Sequence, residues 1–174
     1  MYKLRELRQE DILQINQWRN DPQIISGLGA PFRFINPDVD YDWYQNYMRN
    51  RDKAVRCVIV EEGNEEYILG LVCLVGIDLI QRRASFSLMI GDKQNQGKGI
   101  GTFATREILK HAFYNLNLHR VELDALETNQ AAIGLYKKIG FVQEGVKREA
   151  NYKNGKYVNM IMMSILKEEF EVTP

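Results

Sequence analysis

The chain has 174 residues, with 23 Lys plus Arg balancing 23 Asp plus Glu, so no net field of either sign recruits nucleic acid or an anionic membrane. Its 45% hydrophobic and 26% charged residues are those of a folded globular protein, excluding a disordered or low-complexity chain. The size suits a single domain over residues 1–174. Two cysteines, Cys57 and Cys73, sit in apolar runs and are too few for a disulfide framework, so they read as reduced thiols of a cytoplasmic protein. The N-terminal "MYKLRELRQED" lacks the apolar centre of a signal peptide, and the most apolar run, "YILGLVCLVGIDLI", is too short to span a bilayer and carries Asp78.

"YKLREL" alternates as a short strand. "RQEDILQINQWRND" follows as a helix with Ile12, Ile15 and either Leu13 or Trp18 inward, stopped at Asp21-Pro22. "ISGLGAPFRFINPDVD", with two glycines and two prolines, predicts a loop that can wall a substrate site, and "YDWYQNYMRN" a second helix. Three strands come next, "AVRCVIVEE", "YILGLVCLVGIDL" and "RRASFSLMIG", with turn signals that suit an antiparallel meander. "GTFATREILKHAFYN" predicts a helix whose stripe is Ile100, Phe103, Ala104, Ile108 and Ala112. "LHRVELDALE" returns as a strand, "NQAAIGLYKKIGF" is a short helix capped by Gly140, and two strands around "YKNGKY" close the chain.

The loop "QNQGKGIGT" between the fourth strand and the long helix carries Gly97, Gly99 and Gly101. Glycines ahead of a helix N-terminus suit an anion, because free amides and the positive end of the helix dipole converge there; a tight turn without ligand has the same composition. A nucleotide-binding P-loop fails on spacing, since Lys98 follows the first glycine. A dinucleotide fingerprint would need a glycine at Thr102, although Glu122 and Asp124 do follow at a suitable distance, and such a loop belongs after the first strand of its unit.

"QNQGKG" resembles the Gln/Arg-x-x-Gly-x-Gly/Ala loop of the GNAT superfamily of acetyl-CoA-dependent N-acetyltransferases, and "ETNQAAIGLYKKIGF" and "YKNGKYVNMIMMSIL" resemble that family's later motif and C-terminal hairpin. The resemblance implies an α+β fold: a mixed, mostly antiparallel seven-stranded sheet, helices on both faces, splayed between strands four and five. It also implies acetyl-CoA as cosubstrate, without a metal. The backbone of Leu88, Met89 and Ile90 would pair with the pantetheine arm, and amides across Gln96, Gly97, Lys98, Gly99, Ile100, Gly101 and Thr102 would hold the diphosphate.

Asn129 would contact the cofactor arm in that family, yet its place ahead of Gln130 equally suits a helix cap. Tyr136 shares a helical face with Ala132 and Ile139, which suits a packed aromatic; its spacing matches the family's tyrosine that protonates the leaving thiolate. The family's glutamate in strand four is absent, Ser85 standing there, and serine cannot serve as base. Asp124 matches the glutamate base of ribosomal-protein alanine acetyltransferases, acting through water because aspartate is shorter, and equally suits a solvated strand residue; Glu122 on the same strand face is the fallback.

The C-terminal half is similar to spermidine acetyltransferases and to ribosomal-protein N-terminal acetyltransferases, so the expected partner is a small-molecule or peptide amine, with no nucleic acid or membrane and with a homodimer as an option. Polyamines, amino sugars, amino acids, protein N-termini and antibiotics all stay open as acceptors. Asp38, Asp40 and Asp42 beside Trp43 and Tyr44 suit either a cationic amine or a solvated helix start. Two other classes stay in view: a non-catalytic acetyl-CoA sensor, which the loss at Ser85 would allow, and a nicotinamide enzyme built on the same glycines.

Overall fold

In a computed structural model describing residues 1–172, all strands join one seven-stranded sheet in the order β1-β2-β3-β4-β5-β7-β6. The strands are β1 (Tyr2–Glu6), β2 (Ala54–Glu61), β3 (Asn64–Asp78), β4 (Arg83–Ile90), β5 (Arg120–Leu126), β6 (Val142–Lys153) and β7 (Lys156–Leu166). The helices are α1 (Ile12–Arg19), α2 (Pro22–Ile25), α3 (Pro37–Arg49), α4 (Ile100–Lys110), α5 (Gln130–Ile139) and α6 (Lys167–Val172). None of the described helices is long and apolar enough to cross a membrane.

β2, β3 and β4 form the expected antiparallel meander. Among the described residues the single parallel contact is β4 with β5, and it lasts for only Arg83↔Arg120, Ala84↔Val121 and Ser85↔Glu122. Beyond Ser85 the two strands part, which is the expected splay.

Two apolar layers cover the sheet. On one face α4 and α5 bury Ile100, Ala104, Ile108, Ile133 and Ile139 against Val72, Leu74, Ala84, Phe86 and Val121. On the other, α1 and α3 bury Ile12, Ile15, Trp18 and Tyr47 against Val58, Val60, Ile68 and Met89. Trp18, not Leu13, completes the α1 stripe, Leu13 being exposed.

Several elements differ from expectation. Pro22 does not simply end a helix. With Asp21 accepting from the Gln23 amide at 2.8 Å, it opens the short α2, because proline at the first helical position sacrifices no bonded amide. The helix from Ile100 does reach Asn115 with Ala112 buried, as expected, but its last turn over His111–Asn115 widens to a π turn. In β4, Ala84 and Phe86 face α4 and α5 as the alternation predicts, but Met89 is buried too, against the opposite layer, so the strand is covered on both faces.

The acidic start of α3 is capped and solvated at Asp38 and Asp42, both exposed, but not at Asp40. Asn36 caps the helix through the Asp38 amide at 2.9 Å, while Asp40 is wholly buried, ion-paired with Arg19 and accepting from Asn16 Nδ2 at 2.8 Å. Trp43 is covered by an internal cation, the Arg56 guanidinium lying 4.5 Å from its ring centre. These side chains join α3 to α1 and β2.

Cys57 and Cys73 form no disulfide. Burial pushes both thiols up, Cys57 to about 12, which keeps them protonated and inert.

Candidate active site

Where β4 and β5 separate, a cavity of about 480 Å³ opens between them and under α4 and α5. Three of its features come from main chain. Gly91 N–H donates to Leu69 O at 2.9 Å; by the two-residue period of an antiparallel ladder, Met89 also turns its amide to β3. Leu88 and Ile90 therefore present their peptide groups to the gap, which β5 no longer fills.

The second feature is the head of α4. Gly97 and Gly99 hold φ of +78° and +81°, left-handed conformations that only glycine adopts cheaply, and a Cβ on either would meet nothing within 4 Å. The first bond of the helix runs from Phe103 N to Gly99 O at 3.0 Å, so the amides of Gly97 to Thr102 have no hydrogen-bond partner among the described residues. The Gln96 amide is already used, donating to Lys93 O at 3.0 Å. The third feature is a wall made by Gly27, Leu28 and Gly29 of the loop after α2, reaching the same cavity from the N-terminal third of the chain.

Tyr136 enters from α5. Asn129 caps that helix, its Oδ1 accepting from Ala132 N at 3.1 Å, and Gly140 ends it at φ +115°. The ring of Tyr136 is held edge-on by Phe86, centroids 5.7 Å apart at 83°, and by Phe141 at 5.6 Å. Its hydroxyl has no hydrogen-bond partner among the described residues. Burial pushes the phenol up to about 12, so it is a protonated donor throughout the neutral range.

Of the residues singled out in the sequence, Leu88, Ile90, Gln96, Gly97, Gly99, Ile100, Gly101, Thr102, Asn129 and Tyr136 all line this cavity. Met89 lies on the other side of the sheet, and the Lys98 side chain turns back to Asn95, Nζ to Oδ1 at 3.4 Å. Asp124 does not line the cavity: it is exposed on β5 next to Ala125, which does, and Lys147 Nζ holds it at 2.6 Å. Glu122 marks the last rung before the splay and accepts from Arg120 Nε at 3.0 Å.

Residues with no sequence signal add to the site. Asn95 is buried in the glycine loop, lines the cavity and leaves Nδ2 without a partner. Leu135 packs so closely that a Cβ on Gly101 would lie 2.9 Å from its Cδ1. A chain carrying a diphosphate and an extended amide arm fits this lining: free amides meet the anion and an open strand edge meets the arm.

The Acetyltransferase (GNAT) domain family matches residues 2–142. The chain belongs to the GNAT acetyltransferases. Among GNAT relatives, spermidine N(1)-acetyltransferase of Vibrio cholerae is 31% identical over 96% of this chain and 94% of its own. The Escherichia coli K12 spermidine N(1)-acetyltransferase is 32% identical over 97% and 87%. A putative ribosomal N-acetyltransferase of Bacillus subtilis is 35% identical over 75% and 68%. A crystal structure of the Vibrio cholerae spermidine enzyme in complex with CoA and spermine superposes with a TM-score of 0.90, at 29% identity and 98% coverage of both chains. The GNAT topology, in which four antiparallel strands precede the glycine loop, also separates that loop from a nicotinamide-binding first turn.

Proposed function

We propose that this GNAT enzyme moves an acetyl group from acetyl-CoA directly to a primary amine, and that its acceptor is a polyamine of the spermidine class. The observation that carries the transfer is convergence: Leu88 and Ile90 of the open β4 edge, the glycine loop with its unbonded amides, and Tyr136 all line one cavity. The acceptor class is supported by relatives named for spermidine that align along almost the whole chain, including the N-terminal helices and loop that wall the site.

When bound, acetyl-CoA supplies an acyl thioester that an amine can attack without an acyl-enzyme intermediate. The peptide groups of Leu88 and Ile90 hold the arm, and the amides from Gly97 to Thr102 hold the diphosphate. An alkylamine has a reference pKa near 10, so it must shed a proton before attack. Asp124 takes that proton through solvent in this reading, being a carboxylate on the strand beside the cavity.

Tyr136 serves the departing sulfur. With the phenol at about 12 and a free thiol near 8.5, outright transfer is uphill by roughly 3.5 units, about 5 kcal/mol. Its contribution is therefore a hydrogen bond donated to the developing thiolate.

A panel of spermidine, spermine, an N-terminal alanyl peptide, glucosamine and free amino acids, assayed for thiol release from acetyl-CoA, tests both parts. Preferred turnover of spermidine or spermine is expected. Preference for the peptide or the sugar would overturn the acceptor class. Binding of acetyl-CoA with no turnover on any amine would replace the enzyme by a sensor, a reading favoured by Ser85 and by the ion pairs on both β5 carboxylates.

A further inference from the structure

The loop that walls the cavity is fastened from far away in sequence. Four of its carbonyls accept from side chains of the C-terminal half: Ile25 O from Lys153 Nζ at 3.0 Å, Gly27 O from Asn129 Nδ2 at 2.9 Å, Gly29 O from Asn151 Nδ2 at 2.7 Å, and Ala30 O again from Lys153. Asn151 and Lys153 sit two residues apart near the end of β6, on one face of the strand. A bulge precedes them: pairing with β7 slips between Lys147 and Asn151, Glu149 takes φ +51°, and its amide donates to Asn159 Oδ1 at 2.8 Å. Such bulges re-aim the side chains that follow.

The far end of the loop is held separately, by Asn20 and Asn16 on Ile35, so the carbonyls of residues 25–30 depend on the C-terminal side chains. From Gln23 to Ile35 it carries no carboxylate, so the Lys153 ammonium has only carbonyl dipoles to meet, and no carboxylate lies within ion-pair distance of it among the described residues. Burial draws the Lys153 pKa down, as expected for a cation taken from water without a counter-charge. Glycines at 27 and 29 offer no side chain to bury and much freedom to lose, so the segment depends on bonds to its backbone.

We propose that Lys153, with Asn151, is a positioning residue for the acceptor: by fastening the Ile25–Ala30 loop as a wall of the cavity, the C-terminal hairpin sets the affinity for the amine. The inference rests on the acetyl-transfer reading above. The β4 edge and the glycine-loop amides lie on other elements, and Asn129, which holds Gly27 and caps α5, is left in place, so loosening the wall at Lys153 and Asn151 leaves the acetyl-CoA side intact.

The test compares wild type, Lys153→Met, Lys153→Arg and Asn151→Leu by steady-state kinetics with spermidine and acetyl-CoA, and by amide exchange of residues 25–30 in the free protein. Loss of a charge-assisted hydrogen bond is worth roughly tenfold or more. Lys153→Met should raise KM for spermidine about tenfold, with kcat and KM for acetyl-CoA within twofold. Exchange of the loop should quicken while the amides of β6 and β7 keep their protection, which confirms the fold. Asn151→Leu should act in the same direction, and Lys153→Arg, retaining donors, should recover most of both effects. Unchanged loop exchange in Lys153→Met overturns the clamp. Faster exchange with unaltered KM for spermidine, or equal rises in both KM values, overturns the assignment to the acceptor. Should wild type acetylate no amine of the panel, the proposed activity falls and loop exchange alone decides the clamp.

Discussion

Replacing Gly99 by alanine should weaken acetyl-CoA binding without unfolding the protein. At φ +81° and ψ −2° the added Cβ meets nothing within 4 Å, so the cost is backbone alone, about 1–2 kcal/mol for an L-residue in the left-handed region. Alanine also stiffens the unfolded chain, which offsets about 0.4–1 kcal/mol of that cost in folding. The loop is exposed and can relax in the free protein, so apparent stability should fall by less than about 1 kcal/mol, roughly 2–4 °C in Tm at most for a chain of this size. Binding receives no such offset. The amides from Gly97 to Thr102 must be returned to their converging arrangement, and 1–2 kcal/mol corresponds to roughly 5- to 30-fold in Kd. Calorimetric titration with coenzyme A reads this directly. Gly134→Ala is the control: it lies in α5 with nothing within 4 Å of a Cβ and should add about 1 kcal/mol of stability with Kd unchanged. A Gly99→Ala Kd within twofold of wild type, with the control behaving as expected, would refute the amide cradle.

Tyr136→Phe should lower kcat about 10- to 100-fold, the worth of a hydrogen bond to a charged sulfur, with KM for acetyl-CoA within threefold; unchanged kcat removes Tyr136 from the chemistry. The same variant has an alkaline signature. The folded chain keeps the phenolic proton to about 12 and the unfolded chain to about 10, so the stabilisation is complete below pH 10 and is lost as pH rises toward 12, by roughly 3 kcal/mol. Denaturant melts across that window should fall less steeply for Tyr136→Phe than for wild type, and equal slopes would contradict the burial of the hydroxyl. Asp40→Asn should cost about 2–3 kcal/mol, less than a fully buried pair because Arg19 reaches solvent, and should leave KM for the amine unchanged; a raised KM with intact stability would return Asp40 to the acceptor site.

The features legible in the sequence are those with local causes. Gly97, Gly99 and Gly140 mark left-handed positions, Asn129 marks a cap, and alternation fixes the meander, so the strand order near the cavity and most of its lining could be named. What stayed hidden depends on distant partners. Asp40 looks solvated in "NPDVDYDWY" until Arg19 and Asn16 close over it. Pro22 carries the same local signal whether it ends one helix or opens the next. Lys153 bonds to Ile25 across 128 residues, and no periodicity carries that information. Asp124 shows the reverse case: its position in the chain matches a base, while its nearest charge, Lys147, is known only once β6 and β5 are brought to the same sheet face.

The three-rung contact of β4 with β5 has an implication for how such enzymes diversify. If the donor is held by peptide groups left over where two strands diverge, as proposed above, that part of the grip depends on backbone and less on which side chains those strands carry. On that proposal, conservative drift along β4 and β5 would leave the donor accommodated, while new acceptor preferences would arise from changes in the loop and hairpin on the far rim.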